Sequence, residues 1–212
     1  MTATARPTRM AVGLAAGFVV LTALVAIVAT RDALVQPIDD WVRTRVVERQ
    51  TAWLVDIAKV LSIVGAGWWA VAMRVGIAAA LASLRRWLAL AAFVGAAITT
   101  SLTTTVLKHW IDRPRPPGGL VHTTNAAYPS GHASAAAAIA LGAYLAFAPR
   151  SHRRAWIAAA LVWIVAMSLS RLILDVHWCS DVIGGSLLGA TLALAWMPAF
   201  RRETGTTAPK KK

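Results

Sequence analysis

Two histidines, one aspartate and three cations stand out in this 212-residue chain because each lies at the edge of an apolar run. His177 and Asp181 are four residues apart, so on a helix they share a face and the carboxylate can accept the Nδ1 proton of the imidazole. The other ring nitrogen is then available as a nucleophile. His132 offers a second proton-transfer group, which a reaction expelling an alkoxide needs. Lys108, Arg115 and Arg171 can neutralise a phosphate, the guanidinium forks by bidentate contact and the lysine as a point charge. Ser130 and Gly131 stand where a proline-containing loop enters an apolar run. A helix starting there points backbone N–H groups at an anion, and glycine permits close approach. The chemistry these types suit is phosphoryl transfer. The spacing to Asp181 favours His177 as the attacking group, but the residues alone leave open which histidine attacks.

Composition says what must position them. The chain is 58% hydrophobic and 15% charged, with 22 Lys and Arg against 9 Asp and Glu and a net charge of +13. A mean hydropathy of +0.59 excludes a disordered chain and an ordinary basic nucleic-acid-binding domain. One cysteine, Cys179, and 14 glycines exclude a disulfide scaffold and a collagen. The remaining class is a membrane protein with segregated charges. A helical span needs about 20 apolar residues, down to roughly 17. Residues 10–29, 87–107, 131–149, 155–170 and 182–200 carry no charge, and a sixth run at about 68–84 is interrupted by Arg74. We expect an all-α integral membrane bundle of six transmembrane helices forming one domain over 1–212, with short tails at 1–9 and 201–212. The first run is too long for a cleavable signal and reads as a retained anchor. Residues 31–51 read as an interfacial segment continuing as a helix into the span around Arg74.

Twelve of the 22 basic residues fall at the tails and at the 84–87 and 149–155 connections, among them Arg85, Arg86, Arg150, Arg153 and Lys210. The positive-inside rule puts these, and both termini, in the cytoplasm. Helix parity then gathers Lys108 to Arg115, Ser130 to His132, Arg171 and His177 to Asp181 on the opposite, extracytoplasmic face. Within that cluster Asp112 and Arg113 suggest a structural ion pair. Arg74 suggests snorkelling, a pairing with Asp56, or a substrate contact. Thr99 to Thr105 suggests side chains bonded back to their own helix.

The same residues resemble the three-part signature of the type 2 phosphatidic acid phosphatase family. Lys108 is followed after six residues by Arg115-Pro116, then come Pro129-Ser130-Gly131-His132 and Ser170-Arg171, with His177 and Asp181 at the expected spacing. The resemblance covers about residues 53–200. It implies a six-helix membrane lipid phosphatase that uses no metal or other cofactor. His177 would form a phosphohistidine, Asp181 would orient it, and His132 would protonate the leaving group and then activate water. Lys108, Arg115, Ser130, Gly131 and Arg171 would hold the phosphate oxygens. The implied partners are a lipid phosphate and membrane lipids, not nucleic acid, and the implied setting is a bacterial inner membrane. Candidate substrates are an isoprenyl diphosphate carrier lipid, phosphatidate, phosphatidylglycerophosphate and diacylglycerol pyrophosphate. Rival readings are a phosphotransferase, a vanadate-dependent haloperoxidase, a metal site among His109, His122, His132, His177, Asp112, Asp175 and Asp181, and a non-catalytic anionic-lipid transporter or binding protein.

Overall fold

The structure, a computed structural model, describes residues 35–65, 67–198 and 200, with isolated positions 17, 18, 20, 21, 23 and 25 of the first apolar run. Most of that first predicted span and both predicted tails lie outside the described residues. Every regular element among the described residues is helical. In chain order these are α1 (Gln36–Val47), α2 (Ala52–Val64), α3 (Gly67–Ser83), α4 (Trp87–Ile111), α5 (Gly131–Phe147), a 3-10 turn at Arg150–His152, α6 (Arg153–Ile173) and α7 (Cys179–Ala195).

One expectation about the early part of the chain needs correction. Residues 31–51 do not run on as one helix into the next span: α1 stops at Val47, and Thr51 is extended (φ −124°, ψ 155°) before α2 begins. The run around Arg74, placed at about 68–84, is one helix as expected, α3 (Gly67–Ser83), but it does not stand alone. It is the second arm of a pair, Ala52–Val64 and Trp68–Ser83, bent by 51° near Gly65. Both arms are apolar, so hydropathy alone gives no sign of the break.

By length and apolarity, Trp87–Ile111 and Arg150–Ile173 each suffice to cross a bilayer, and the bent pair makes a third candidate. Gly131–Phe147 and Cys179–Ala195 are apolar but have 17 residues each. At 1.5 Å per residue that is about 25 Å, short of a hydrocarbon core of about 30 Å. The side-chain distribution is inverted relative to a water-soluble bundle. Leu102, Val106, Val162 and Val165 are exposed on helix faces, whereas Asp39, Arg113, Arg171, His177 and Asp181 are buried. Helices solvated by lipid place apolar groups outward and satisfy polar ones within.

Small residues set the closest helix approach. Gly185 and Gly189, one turn apart on α7, face Ser130 and Ser134 at the start of α5. A β-carbon at Gly185 would lie 2.5 Å from the Ser130 carbonyl, and one at Gly189 would overlap the Ser134 carbonyl. Because the obstructing atoms are backbone, relief requires moving a helix. Gly189→Ala is therefore expected to destabilise the fold by about 1–3 kcal/mol, read as a lowered Tm in detergent. An unchanged Tm would show that the two helices have slack at this crossing.

Candidate active site

Most of the chemically interesting side chains are delivered by helix ends, while Arg115 and His177 lie on the connections between helices. Lys108 is on the last turn of α4, which runs one turn beyond its predicted end and is closed by Asp112 in the left-handed region (φ 43°). Ser130 is the N-cap of α5, its hydroxyl accepting from the Ala133 N–H at 3.5 Å. Gly131 and His132 follow as the first two helical residues. Arg171 is on the last turn of α6, and His177 precedes α7, whose first turn contains Asp181. The predicted gathering at one end of the bundle is observed. Lys108, Arg115, Gly131, His132, Arg171 and His177 line a common cleft of about 610 Å³.

Around His177 the hydrogen bonds dictate the tautomer. Nδ1 lies 3.3 Å from Asp181 Oδ2, and Nε2 lies 3.2 Å from Arg115 Nη1. A carboxylate only accepts and a guanidinium only donates, so the proton belongs on Nδ1 and the lone pair on Nε2. Burial lowers the imidazole pKa to about 4; Asp181 opposes this, and the cations Arg115 and Lys108 add to it. The ring is thus neutral at physiological pH with its lone pair toward the cleft. Asp181 is itself fixed, since Oδ2 also accepts from the Trp178 N–H at 2.8 Å.

The cations are aimed by loop carbonyls. Arg115 donates through Nε to the Asn125 carbonyl (2.7 Å), through Nη2 to Asn125 Oδ1 (2.6 Å), and through Nη1 to the Val176 carbonyl (2.5 Å). Lys108 donates to the Ala126 carbonyl. Arg171 donates to Ser62 Oγ, leaving its Nε buried without a hydrogen-bond partner. His132 Nε2 lies 3.2 Å from the Ser62 carbonyl, which can only accept, so this nitrogen carries hydrogen here. Ser130 is wholly buried behind Gly131: its N–H donates to the Asp181 carbonyl and its carbonyl accepts from Ser134. It couples α5 to α7 and is not among the cleft-lining residues.

Three expectations about neighbouring residues change. Arg113 does not pair with Asp112. It is buried and donates through Nη1 to Asp181 Oδ1 and Ser180 Oγ, both at 2.7 Å, and through Nη2 to Asp39 Oδ2 at 2.7 Å and Gln36 Oε1 at 3.0 Å. Burial disfavours its charge, but Asp181 and Asp39 together outweigh that and raise its pKa. Arg74 does not pair with Asp56, which forms a 3.8 Å pair with Lys59. Asp175, a possible metal ligand by sequence, is bound bidentately by Arg43 at 2.7 and 2.8 Å. Among the described residues no group of three or more His, Cys, Asp or Glu side chains is arranged to hold a metal.

Ser62 and Asp39 are site residues that sequence reasoning missed. Asp39 accepts from the Ser180 N–H (2.8 Å) and hydroxyl (2.6 Å), so α1 caps the helix carrying Asp181. Neither residue lies in a recognisable pattern. Only the polarity of residues 31–51, at odds with the apolar runs around it, hinted that this stretch serves the site.

The structure thus brings two histidines, a fixed carboxylate and converging cations together at one end of an all-helical domain. The chain belongs to the PAP2 superfamily, which matches residues 88–204. Phosphatidylglycerophosphatase B of Bacillus subtilis (strain 168) is 37% identical over 101 residues, covering 44% of this chain and 49% of that protein. The match thus spans about half the length of the curated relative. The crystal structure of the first transmembrane PAP2 type phosphatidylglycerolphosphate phosphatase from Bacillus subtilis superposes with a TM-score of 0.77. It is 27% identical, and the match covers 93% of this chain and 98% of that one. Aquifex aeolicus LpxE shares the fold, with a TM-score of 0.62 and 18% identity over 74% of this chain and 92% of that chain. The chain is a membrane protein of this family, as the sequence motifs led us to expect.

Proposed function

We propose that this chain is a metal-independent lipid phosphatase working through a phosphohistidine at the extracytoplasmic face of a six-helix bundle, with both termini in the cytoplasm. The observation that carries this reading is the His177 ring, held between Asp181 and Arg115 in the tautomer a nucleophile requires. An arriving phosphate draws the Arg115 donors onto its oxygens, together with Lys108, Arg171 and the Gly131 backbone, and frees Nε2. Nε2 attacks phosphorus, the ester or anhydride P–O bond breaks, and His132, entering this step as the imidazolium, gives a proton to the departing oxygen and is left neutral. Asp181 stabilises the positive charge on the ring. In the second step His132 removes a proton from water, the hydroxide attacks phosphorus, and the P–N bond breaks to restore His177. The substrate is a lipid phosphate lying in the bilayer: a glycerolipid phosphate such as phosphatidylglycerophosphate or phosphatidate, or an isoprenyl diphosphate.

The test is phosphate release by purified protein from phosphatidylglycerophosphate, phosphatidate and an isoprenyl diphosphate in excess chelator. We expect release from at least one lipid at a rate unchanged by the chelator. Abolition by chelator overturns the metal-independent mechanism. A phosphorylated alcohol in place of free phosphate makes the protein a phosphotransferase.

A further inference from the structure

The geometry points to Arg74 as the receptor for a second, inner phosphate of the lipid substrate, one glycerol unit below the phosphate that is cleaved. The inference rests on the lipid-phosphatase reading and names the substrate class within it.

Arg74 lies seven residues into α3, about 10 Å from the helix start at 1.5 Å per residue. A cation at that depth in a membrane helix needs a polar partner. Its Nε is buried with no hydrogen-bond partner, and the acid nearest in sequence on the preceding helix, Asp56, is taken by Lys59. Arg74 faces a recess of about 640 Å³ between α3, α4 and α5, and among the described residues no carboxylate lines it.

Two unused hydroxyls point the same way. Thr99 and Thr105 bond back to carbonyls of their own helix, at Gly95 and Ser101. Thr100 and Thr104 line the recess, and their buried hydroxyls have no partner. Lys108, Thr104 and Thr100 follow one another at four-residue intervals down one face of α4, which places the two hydroxyls about 6 and 12 Å below the lysine. Lys108, Asn125 and Gly131 border both this recess and the catalytic cleft, so the two spaces adjoin. Below the threonines the walls turn apolar, ending at Phe93 and Ile139.

An occupant matching this profile has a terminal phosphate in the cleft, a second anionic group one to two helical turns deeper, and hydrocarbon beyond. A phosphomonoester joined through glycerol to an inner phosphodiester fits. A diphosphate holds its second phosphorus only one bridging oxygen away, short of the one to two helical turns that separate the threonine hydroxyls from Lys108. A lipid with a single phosphate leaves the guanidinium without a counterion.

The test compares kcat/KM for phosphatidylglycerophosphate with that for phosphatidate in wild type, Arg74→Gln and Arg74→Lys. We expect wild type to favour the two-phosphate lipid, and Arg74→Gln to reduce that ratio by about tenfold or more, as expected for loss of a charge-assisted hydrogen bond. Arg74→Lys, which keeps the charge without the fork, should fall between. An equal loss on both lipids, or none, overturns the assignment. A second measurement needs no variant: phosphatidylglycerol, which retains the inner phosphodiester, should inhibit the wild-type protein at mole fractions where diacylglycerol does not. Equal inhibition by the two also overturns it. If wild type releases phosphate from neither of these lipids but does from an isoprenyl diphosphate, the assignment of Arg74 is overturned and the phosphatase reading stands; release from none of the three overturns that reading itself.

Discussion

His177→Ala is expected to lower kcat by roughly three orders of magnitude or more, with a much smaller change in KM. The asymmetry follows from the site's division of labour. In the proposed mechanism Lys108, Arg115 and Arg171 would meet the phosphate in ground state and transition state alike, whereas the Nε2–P bond would exist only along the reaction. Removing the ring deletes the covalent route and leaves the cationic cradle to bind substrate. Wild-type protein mixed with lipid labelled in the scissile phosphate should carry an acid-labile, alkali-stable phosphoprotein that His177→Ala lacks. A variant that keeps the label, or loses less than tenfold in kcat, would falsify the nucleophile assignment.

The pH profile adds an independent reading of the same group. The pKa of His177 is lowered from an ordinary 6.5 to about 4, so the attacking nitrogen is unprotonated over the whole physiological range. Loss of kcat/KM through this residue sets in only as pH falls toward 4, because that parameter reports the free enzyme. Asp181→Asn, which removes a charge favouring the imidazolium, should shift this limb still lower.

What was legible in the sequence was local. The four-residue spacing of His177 and Asp181 predicted a contact that is present, although His177 precedes α7 and is reached by the capping carboxylate of Asp181 instead of sharing a helix face with it. Ser130 marked the start of α5 to the residue. Helix ends set by hydropathy were less accurate, since charge and helix termination are different things. Lys108 and His109 continue α4 for another turn past the apolar run. Cys179 begins α7 three residues before the predicted span at Val182, because Asp181 accepts the Trp178 N–H there. Contacts between distant segments left no pattern at all. Arg113 and Asp39 are 74 residues apart, and nothing in either stretch tells Arg113 to pass over its neighbour Asp112. Asp112 closes a helix in the left-handed region and is exposed, while the chain turns inward at the next residue.

That inward turn underlies the second large expected effect, on stability. Arg113→Met should destabilise the protein by about 3–5 kcal/mol, because it leaves Asp39 and Asp181 buried without their shared cation. For a chain of this size the corresponding drop in Tm is on the order of 10 °C. Coulomb repulsion between the two carboxylates then favours protonation of one. If Asp181 takes the proton, it no longer holds the His177 tautomer, so kcat falls as well. Asp39→Asn alone should cost less, since Arg113 retains Asp181 and the amide can still accept from Ser180. The two effects are therefore not additive. In the double variant only one carboxylate remains, and Arg113→Met/Asp39→Asn should be more stable than Arg113→Met/wild-type Asp39. Thermal unfolding of the four proteins measures this directly. If the double variant loses the sum of the single losses, the charges do not act as one unit. In that case α1 stabilises the helix carrying Asp181 only through the hydrogen bonds from Ser180 to Asp39, and Arg113 serves Asp181 alone.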